Sequence, residues 1–431
     1  MFAKNNTVVN ILITGFIISL SFFVVLQSAL NPWSVRVPGP DQALWISMAI
    51  DMLRGDILYV DIGDHKGPLL FIIHCLGLSI TPHSLTGIWL LEWIGWSFTF
   101  FFLYKTAKLY TTTLPAAIAI TISAQPLVFF FERGNLVESW SLPFTAISLY
   151  LFVRYMKTSV FNRMDVFYIG ACMISAFLLN GNLVSVWIIF IPYLILKLLL
   201  RKEYISIWKS AIWLTAGCIS VIFPIMLWLI IQGAFISFLN WHILFNIIYV
   251  SDTGIMPIYW SVMNFAYKSD YFVVIHLICF AILIKNRRWD DLIIFAYTVV
   301  TLVLLSISGR LYMHYGIQLI PCLLIPATIF VDALYHYWEN KKGFVITILI
   351  LFLAFGRFDT RLLIENIKWT MDAERRPLRH GCWGYKNYQN INNWVWKISD
   401  NELLDKMYVD ESCPYDQSFS LTKNKYYSHF K

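Results

Sequence analysis

Apolar runs long enough to cross a bilayer recur along almost the whole of this chain, and no other feature restricts its fold as severely. A hydrocarbon core about 30 Å thick is spanned by roughly 20 apolar residues in a helix. Such runs occupy 8–30, 85–104, 112–131, 137–153, 165–179, 183–200, 210–231, 270–284, 292–308, 316–337 and 343–356. The last is short, but Lys341, Lys342 and Arg357 flank it and can snorkel outward. Composition agrees: 58% of the 431 residues are hydrophobic and 14% are charged, with a mean hydropathy of +0.63. Soluble domains carry about 25% charged residues. One globular core cannot hide so much Leu, Ile, Phe and Trp. The expected fold is therefore an all-α polytopic membrane protein with about 11 transmembrane helices. A soluble enzyme, a disordered scaffold and a collagen-like fibre are excluded.

Residues 67–80 are also apolar, but the run is short, opens Lys66-Gly67-Pro68 and contains His74, which predicts a re-entrant or interfacial helix. The N-terminal run lacks a small-residue cleavage site and reads as a retained anchor. Basic residues then set the orientation. Fifteen fall in the loops on one side: Lys4, Lys105, Lys108, Arg154, Lys157, Arg163, Lys197, Arg201, Lys202, Lys209, Lys285, Arg287, Arg288, Lys341 and Lys342. Only six fall in the opposite loops before residue 357: Arg36, Arg54, Lys66, Arg133, Lys268 and Arg310. The positive-inside rule makes the first set cytoplasmic, with the N-terminus inside and the C-terminal tail outside a plasma (inner) membrane. Two units are expected: a transmembrane domain over 1–356, including a first outer loop and re-entrant helix at 31–80, and a small extracytoplasmic tail domain over 357–431. The scattered basic clusters mark topology and not a nucleic-acid footprint.

On this topology the unusual polar segments share the outer face: 31–66, 132–138, 180–182, 233–268 and 309–315. The first is the densest, with Asp41, Asp51, Asp56, Asp61 and Asp64 beside Arg54, His65 and Lys66. A surface helix needs no such concentration. Residues 41–54 have helical spacing, and Arg54-Gly55 supplies a C-terminal stop. Asp41 at the start of that helix suits either an N-cap or a catalytic carboxylate. Lys66, at the positive end of the following helix, suits either a snorkelling lysine or an anion site at head-group depth.

The strings Asp41-Gln42-Ala43-Leu44-Trp45, Arg54-Gly55-Asp56 through Tyr59 and Asp61, and Asp64-His65-Lys66-Gly67-Pro68-Leu69 resemble the GT-C superfamily of integral-membrane glycosyltransferases. The nearest branch holds bacterial aminoarabinose transferases and protein O-mannosyltransferases. Gly134-Asn135-Leu136-Val137-Glu138, Asn180-Gly181-Asn182 and Gly309-Arg310 through His314-Tyr315 agree with it, so the resemblance covers roughly residues 8–340. It implies transfer of a sugar from a polyprenyl-phosphate carrier to a hydroxyl acceptor on the outer face, with inversion. Asp41 matches the family's catalytic base and Lys66 its carrier-phosphate contact. Arg310 and His314 fall where donor-phosphate contacts occur. Arg54, Asp61, Asp64 and His65 complete the expected substrate-binding set. Gln42 departs from the Asp-Glu pair of protein O-mannosyltransferases, which argues against a protein acceptor.

Such chemistry requires no cofactor, since the phosphoglycosidic bond already stores the energy. The chain has no GxxxxGK[ST], no HExxH and no CxxC spacing, so a divalent cation is not indicated. Glu132, Arg133 and Glu138 read as a solvated ion pair or cap. Glu92, inside a span, reads as a helix–helix hydrogen bond or a cavity residue. Trp241, His242, Asn246 and Tyr249 read as an interfacial aromatic belt or as lining for the sugar or acceptor site. Cys382 and Cys413 are positioned to pair if the tail faces an oxidising compartment. The alternatives to a transferase are a multi-span transporter or lipid flippase, and a glycan polymerase or ligase. A transporter should show internal repeats and midplane charges, a polymerase its largest outer loop late in the chain.

Overall fold

The computed structural model describes residues 2–34, 38–82, 84–160, 162–251, 255–268, 270–310, 312–338, 343–344, 364 and 367–368. Its helices are α1 (Phe2–Val25), α2 (Pro40–Arg54), α3 (Pro68–Ile80), α4 (Thr86–Ala107), α5 (Thr113–Ala124), α6 (Leu127–Phe130), α7 (Val137–Thr158) and α8 (Arg163–Phe177). They continue as α9 (Ser185–Leu200), α10 (Tyr204–Ile231), α11 (Phe235–Phe238), α12 (Phe245–Ser251), α13 (Ile255–Lys268), α14 (Asp270–Lys285), α15 (Ile293–Ser306) and α16 (Leu319–Tyr337). A π-helical turn, Leu239–Leu244, joins α11 to α12, and a 3-10 turn, Met313–Gln318, leads into α16. Helices thus overlie ten of the eleven expected spans. The expected span 343–356, apart from its first two residues, and Cys382 and Cys413 lie outside the described residues. So does the tail 357–431, apart from three isolated positions. Among the described residues, six helical stretches are long and apolar enough to cross a membrane, and four shorter apolar ones accompany them. The protein is a multi-pass membrane protein.

Two glycines explain one of the tightest helix contacts. A Cβ on Gly170 would fall 2.1 Å from the Leu214 carbonyl oxygen, and one on Gly217 would fall 2.0 Å from that of Phe167. α8 and α10 therefore cross backbone against backbone, as small residues permit where lipid supplies no hydrophobic drive. The rest of α10 presents Ile205, Trp208, Ile212, Ile219 and Phe223 outward. In water these would be a liability; in a bilayer they are the solvent-matched face.

The polar side chains sort to the two ends of the bundle. At one end Asp291 is buried and accepts hydrogen bonds from Tyr110 Oη at 2.9 Å, Lys157 Nζ at 3.0 Å and Arg288 Nε at 2.8 Å. It thereby ties together the α4–α5 connection, the end of α7 and the α14–α15 connection. Thr111 donates to Asp332 of α16 at the same end. At the other end the connections after α1, α2, α6, α8, α10 and α15 meet, and the candidate site is assembled from them.

Candidate active site

Two short helices frame the site. α2 begins at the N-cap Gly39 with Pro40 in its first position, where the missing N–H costs nothing and φ is preset. Asp41 is thus one residue inside the helix and is not its cap, which removes the capping role as an account of this side chain. α2 ends at Gly55, whose φ of 115° only glycine adopts readily. The chain then makes a tight turn in which Asp61 accepts the Ile57 N–H at 2.8 Å and Tyr59 N–H donates to Ile62 O at 2.6 Å. Arg54 pairs with Asp51 at 3.7 Å, about 20 Å along the helix axis from Asp41. Arg54 and exposed Asp61 are therefore structural parts of this turn, and the structure does not bring them to the Asp41 carboxylate.

Asp64, His65 and Lys66 are held firmly. The Lys66 N–H donates to Asp64 Oδ1 at 2.8 Å, and the Tyr59 hydroxyl donates to the Lys66 carbonyl at 2.7 Å. Gly67 N–H donates to Leu179 O at 2.9 Å, and Leu69 N–H to Leu178 O at 3.2 Å. A Cβ on Gly67 would come within 1.9 Å of that Leu178 oxygen. The Lys-Gly-Pro string therefore lets α3 dock its first turn onto the end of α8. From the other side, His242 Nδ1 and Asn246 Nδ2 lie 3.1 and 2.9 Å from the His65 carbonyl, and His242 Nε2 lies 3.1 Å from Phe177 O. Trp241 covers Gly63, where a Cβ would sit 2.7 Å from the indole. The π-helical turn thus packs on the acidic loop, a role beyond that of a lipid-facing aromatic belt. His65 stacks on Phe245 and Tyr249, with centroids 5.4 and 6.0 Å away, and Arg310 lies 5.2 Å from the Tyr249 ring. Burial, with Lys66 and His242 beside it, holds the His65 imidazole well below its ordinary range, although its Nδ1 lies 3.3 Å from the Asp64 carboxylate.

The opposite wall is the turn between α6 and α7. Glu132, Gly134 and Asn135 all have left-handed φ values, 49°, 72° and 51°. Such strain persists only when the surroundings over-determine it, and here they do. Glu92 of α4 accepts the Asn135 N–H at 2.6 Å and the Ser28 hydroxyl at 2.9 Å. Ala29 N–H donates to Arg133 O at 2.8 Å, and Gln42 Nε2 to Gly134 O at 3.1 Å. Glu92 is therefore a brace between three segments. The glutamine following Asp41 has the same function, locking α2 to this turn.

The turn aims Glu132 at His314, whose Nδ1 lies 3.1 Å from Glu132 Oε2. His314 is buried in the 3-10 turn, seated by Gly316, where a Cβ would meet the Phe130 ring at 2.6 Å. Glu138 is fully buried beside His314 and Tyr315, and neither carboxylate oxygen has a hydrogen-bond partner among the described residues. Glu132 stays solvent-exposed beside Arg133, as its spacing predicts, but also pairs with His314, whereas Glu138 is neither solvated nor a cap. The first faces a histidine and the second is enclosed.

Asp41 is where these walls meet. It is accessible to water, yet it lies in a recess whose walls strip much of its solvation. That loss raises its carboxyl above the ordinary 3.8; the positive charges of Lys66 and His314 pull it down, and Asp64 and Glu132 push it up. Burial likewise holds the Asp64 carboxyl above its usual range, against the Lys66 ammonium and a hydrogen bond from Trp45. Of the residues expected from the sequence, Asp41, Asp64, Lys66 and His314 come together. His65 and Arg310 belong to the stacked wall beside them. Tyr59, Gln42 and the Leu178 and Leu179 carbonyls were not foreseen. The glycines at 63 and 67 were the available signal, since an isolated glycine marks close backbone approach.

Neither a protein-family model nor a curated protein matches the chain. Among solved structures, the crystal structure of ArnT from Cupriavidus metallidurans bound to undecaprenyl phosphate is similar over 78% of this chain, with a TM-score of 0.59 and 15% sequence identity. The chain spans 62% of the length of that protein. At this identity the likeness shows a shared fold alone: the chain has the polytopic helical architecture of that protein.

Proposed function

We propose that the protein is a membrane glycosyltransferase that moves a sugar from a polyprenyl-phosphate carrier to a hydroxyl acceptor at the outer face, with Asp41 as the base. The observation that carries this reading is the grouping of one accessible, partly desolvated carboxylate with two buried basic side chains, Lys66 and His314. The fold is shared with a protein whose structure holds undecaprenyl phosphate, which supports a lipid-phosphate donor.

The chemistry follows from the charges. The acceptor oxygen attacks the anomeric carbon, its proton passes to Asp41, and the bond from that carbon to the phosphate oxygen breaks. A carboxylate is far too weak a base to ionise an alcohol beforehand, so proton transfer accompanies attack. The departing polyprenyl phosphate gains negative charge, which Lys66 and His314 offset more strongly in a water-poor recess than in bulk water. One displacement by one base inverts the anomeric centre. The stacked His65, Phe245 and Tyr249 rings offer a flat apolar wall for a sugar ring. A transporter would place its charges near the midplane, whereas here they sort to the two ends of the bundle, with Asp41, Lys66 and His314 together at one of them.

Asp41→Asn should leave the protein inserted and thermally stable while transfer from a polyprenyl-phosphate sugar falls by at least roughly 1,000-fold. Normal turnover in that variant would remove Asp41 from the mechanism. Lys66→Ala should raise the donor KM, and an unchanged KM would count against its phosphate role.

A further inference from the structure

A second feature lies at the end of the bundle away from Asp41. Between α7, α8, α9 and α10 there is an apolar slot of about 120 Å³, walled by Phe152, Tyr155, Ile169, Leu194, Leu198 and Leu214. Its mouth, at Ile195 and Ala211, faces the lipid side, where Ile195 is 41% exposed. The slot begins beside the Gly170–Gly217 crossing, where α8 and α10 already touch backbone to backbone. The two helices cannot close further to fill it. An unfilled apolar wall forfeits the dispersion contacts that a neighbouring atom would supply. Apart from the hydroxyls of Ser210 and Tyr155 the lining is apolar, and an apolar surface of this kind accepts an apolar guest.

Charge decides which guest. Arg154, Arg163, Arg201 and Lys202, with Asp165 and Glu203, lie within five residues of the lining residues Phe152, Tyr155, Val166 and Leu198 along the chain. Arg154 is bridged to Asp165. Arg201 Nη2 donates to the Ser159 hydroxyl at 3.3 Å across the top of α7, and Arg163 lies 5.6 Å from the Trp213 ring. The Arg201 and Glu203 charges also reach the Tyr155 hydroxyl in the slot wall. Arg163, Arg201 and Lys202 are exposed. An apolar slot opening to the bilayer beneath a cationic rim has the two halves of a phospholipid site, one for an acyl chain and one for an anionic head group.

We propose that this slot binds one acyl chain of an anionic glycerophospholipid in the leaflet opposite the Asp41 site, with its phosphate held at the Arg201–Lys202 rim. The proposal is independent of the transferase reading, because the slot shares no residue with the Asp41 recess. The test uses the full-length protein in nanodiscs of equimolar phosphatidylglycerol and phosphatidylcholine, extracted into mild detergent and weighed by native mass spectrometry. One phosphatidylglycerol should remain bound in preference to phosphatidylcholine. Ala211→Trp, which fills the mouth, should lower its retention at least fivefold. Ile212→Trp, one position away on the lipid face, should leave it unchanged. The double variant Arg201→Ala with Lys202→Ala should abolish the preference for phosphatidylglycerol while leaving the slot intact. Equal retention of both lipids by the unaltered protein, or retention indifferent to Ala211→Trp in a protein that still melts normally, would overturn the proposal. So would displacement of the bound lipid by polyprenyl phosphate, which would make the slot a tail site for the carrier.

Discussion

Asp41 serves as a base only while ionised, so its surroundings set the acid limb of activity. Its carboxyl is raised above 3.8 by lost solvation, and Lys66 is the leading charge pulling it back. Activity must therefore fall as pH drops through a value above 3.8, and the two neighbours should move that limb oppositely. Lys66→Ala removes a stabilising cation and should shift the acid limb of kcat/KM upward. Asp64→Asn removes a repelling anion and should shift it downward. A pH–rate profile in which both variants move the limb the same way would show that Asp41 is not the titrating group. At this scale the sequence was informative where charge density was the signal, as for Asp41, Asp64 and Lys66. It was silent where burial was the signal. Nothing in the string Glu132 to Glu138 distinguishes a glutamate that faces a histidine from one that is sealed without a partner. Arg54 shows the converse: a cation that the sequence sets among the acidic residues pairs with Asp51, away from Asp41.

At the scale of elements, the placement of α3 on the end of α8 fixes where the Lys66 ammonium can lie. Gly67→Ala would drive a methyl group into the Leu178 carbonyl, so α3 must shift or lose the Gly67–Leu179 hydrogen bond. A stability loss of about 2 kcal/mol is expected, read as a lowered melting temperature in detergent. Turnover should fall more steeply, by about 100-fold if Lys66 moves by 1 Å. Retained activity with only lowered stability would mean that Lys66 tolerates the displacement. The long helices were legible because twenty apolar residues in lipid leave the backbone no alternative to a helix. The short helix α3 and the α2 boundaries were legible from length, Pro and Gly. The π-helical turn and the 3-10 turn were not, because both depend on what packs against them: Trp241 on Gly63, and Gly316 on Phe130.

Across the whole molecule, chemistry and cohesion occupy opposite ends. The knot around Asp291 joins two inter-helix connections and the end of α7, far from Asp41. Asp291→Ala leaves Lys157 and Arg288, each about a third exposed, without their shared anion, which should cost about 1.5–3 kcal/mol of stability. Thermal melting in detergent should show that loss while the donor KM of the surviving folded fraction stays unchanged. A changed KM with normal melting would tie this end to the site. The eleven apolar runs foretold such a bundle, but not which connections would be knotted, since that depends on side chains more than 100 residues apart. The Glu92 brace has a consequence for how the protein is made. Its carboxylate enters lipid on α4, and a lone acidic residue at that depth costs about 2.5–3.5 kcal/mol on insertion. Ser28 is already synthesised by then, but the Asn135 amide lies 43 residues downstream. Until the ribosome has delivered that stretch, α4 has only part of its polar complement, so its final seating during biogenesis waits on the next hairpin.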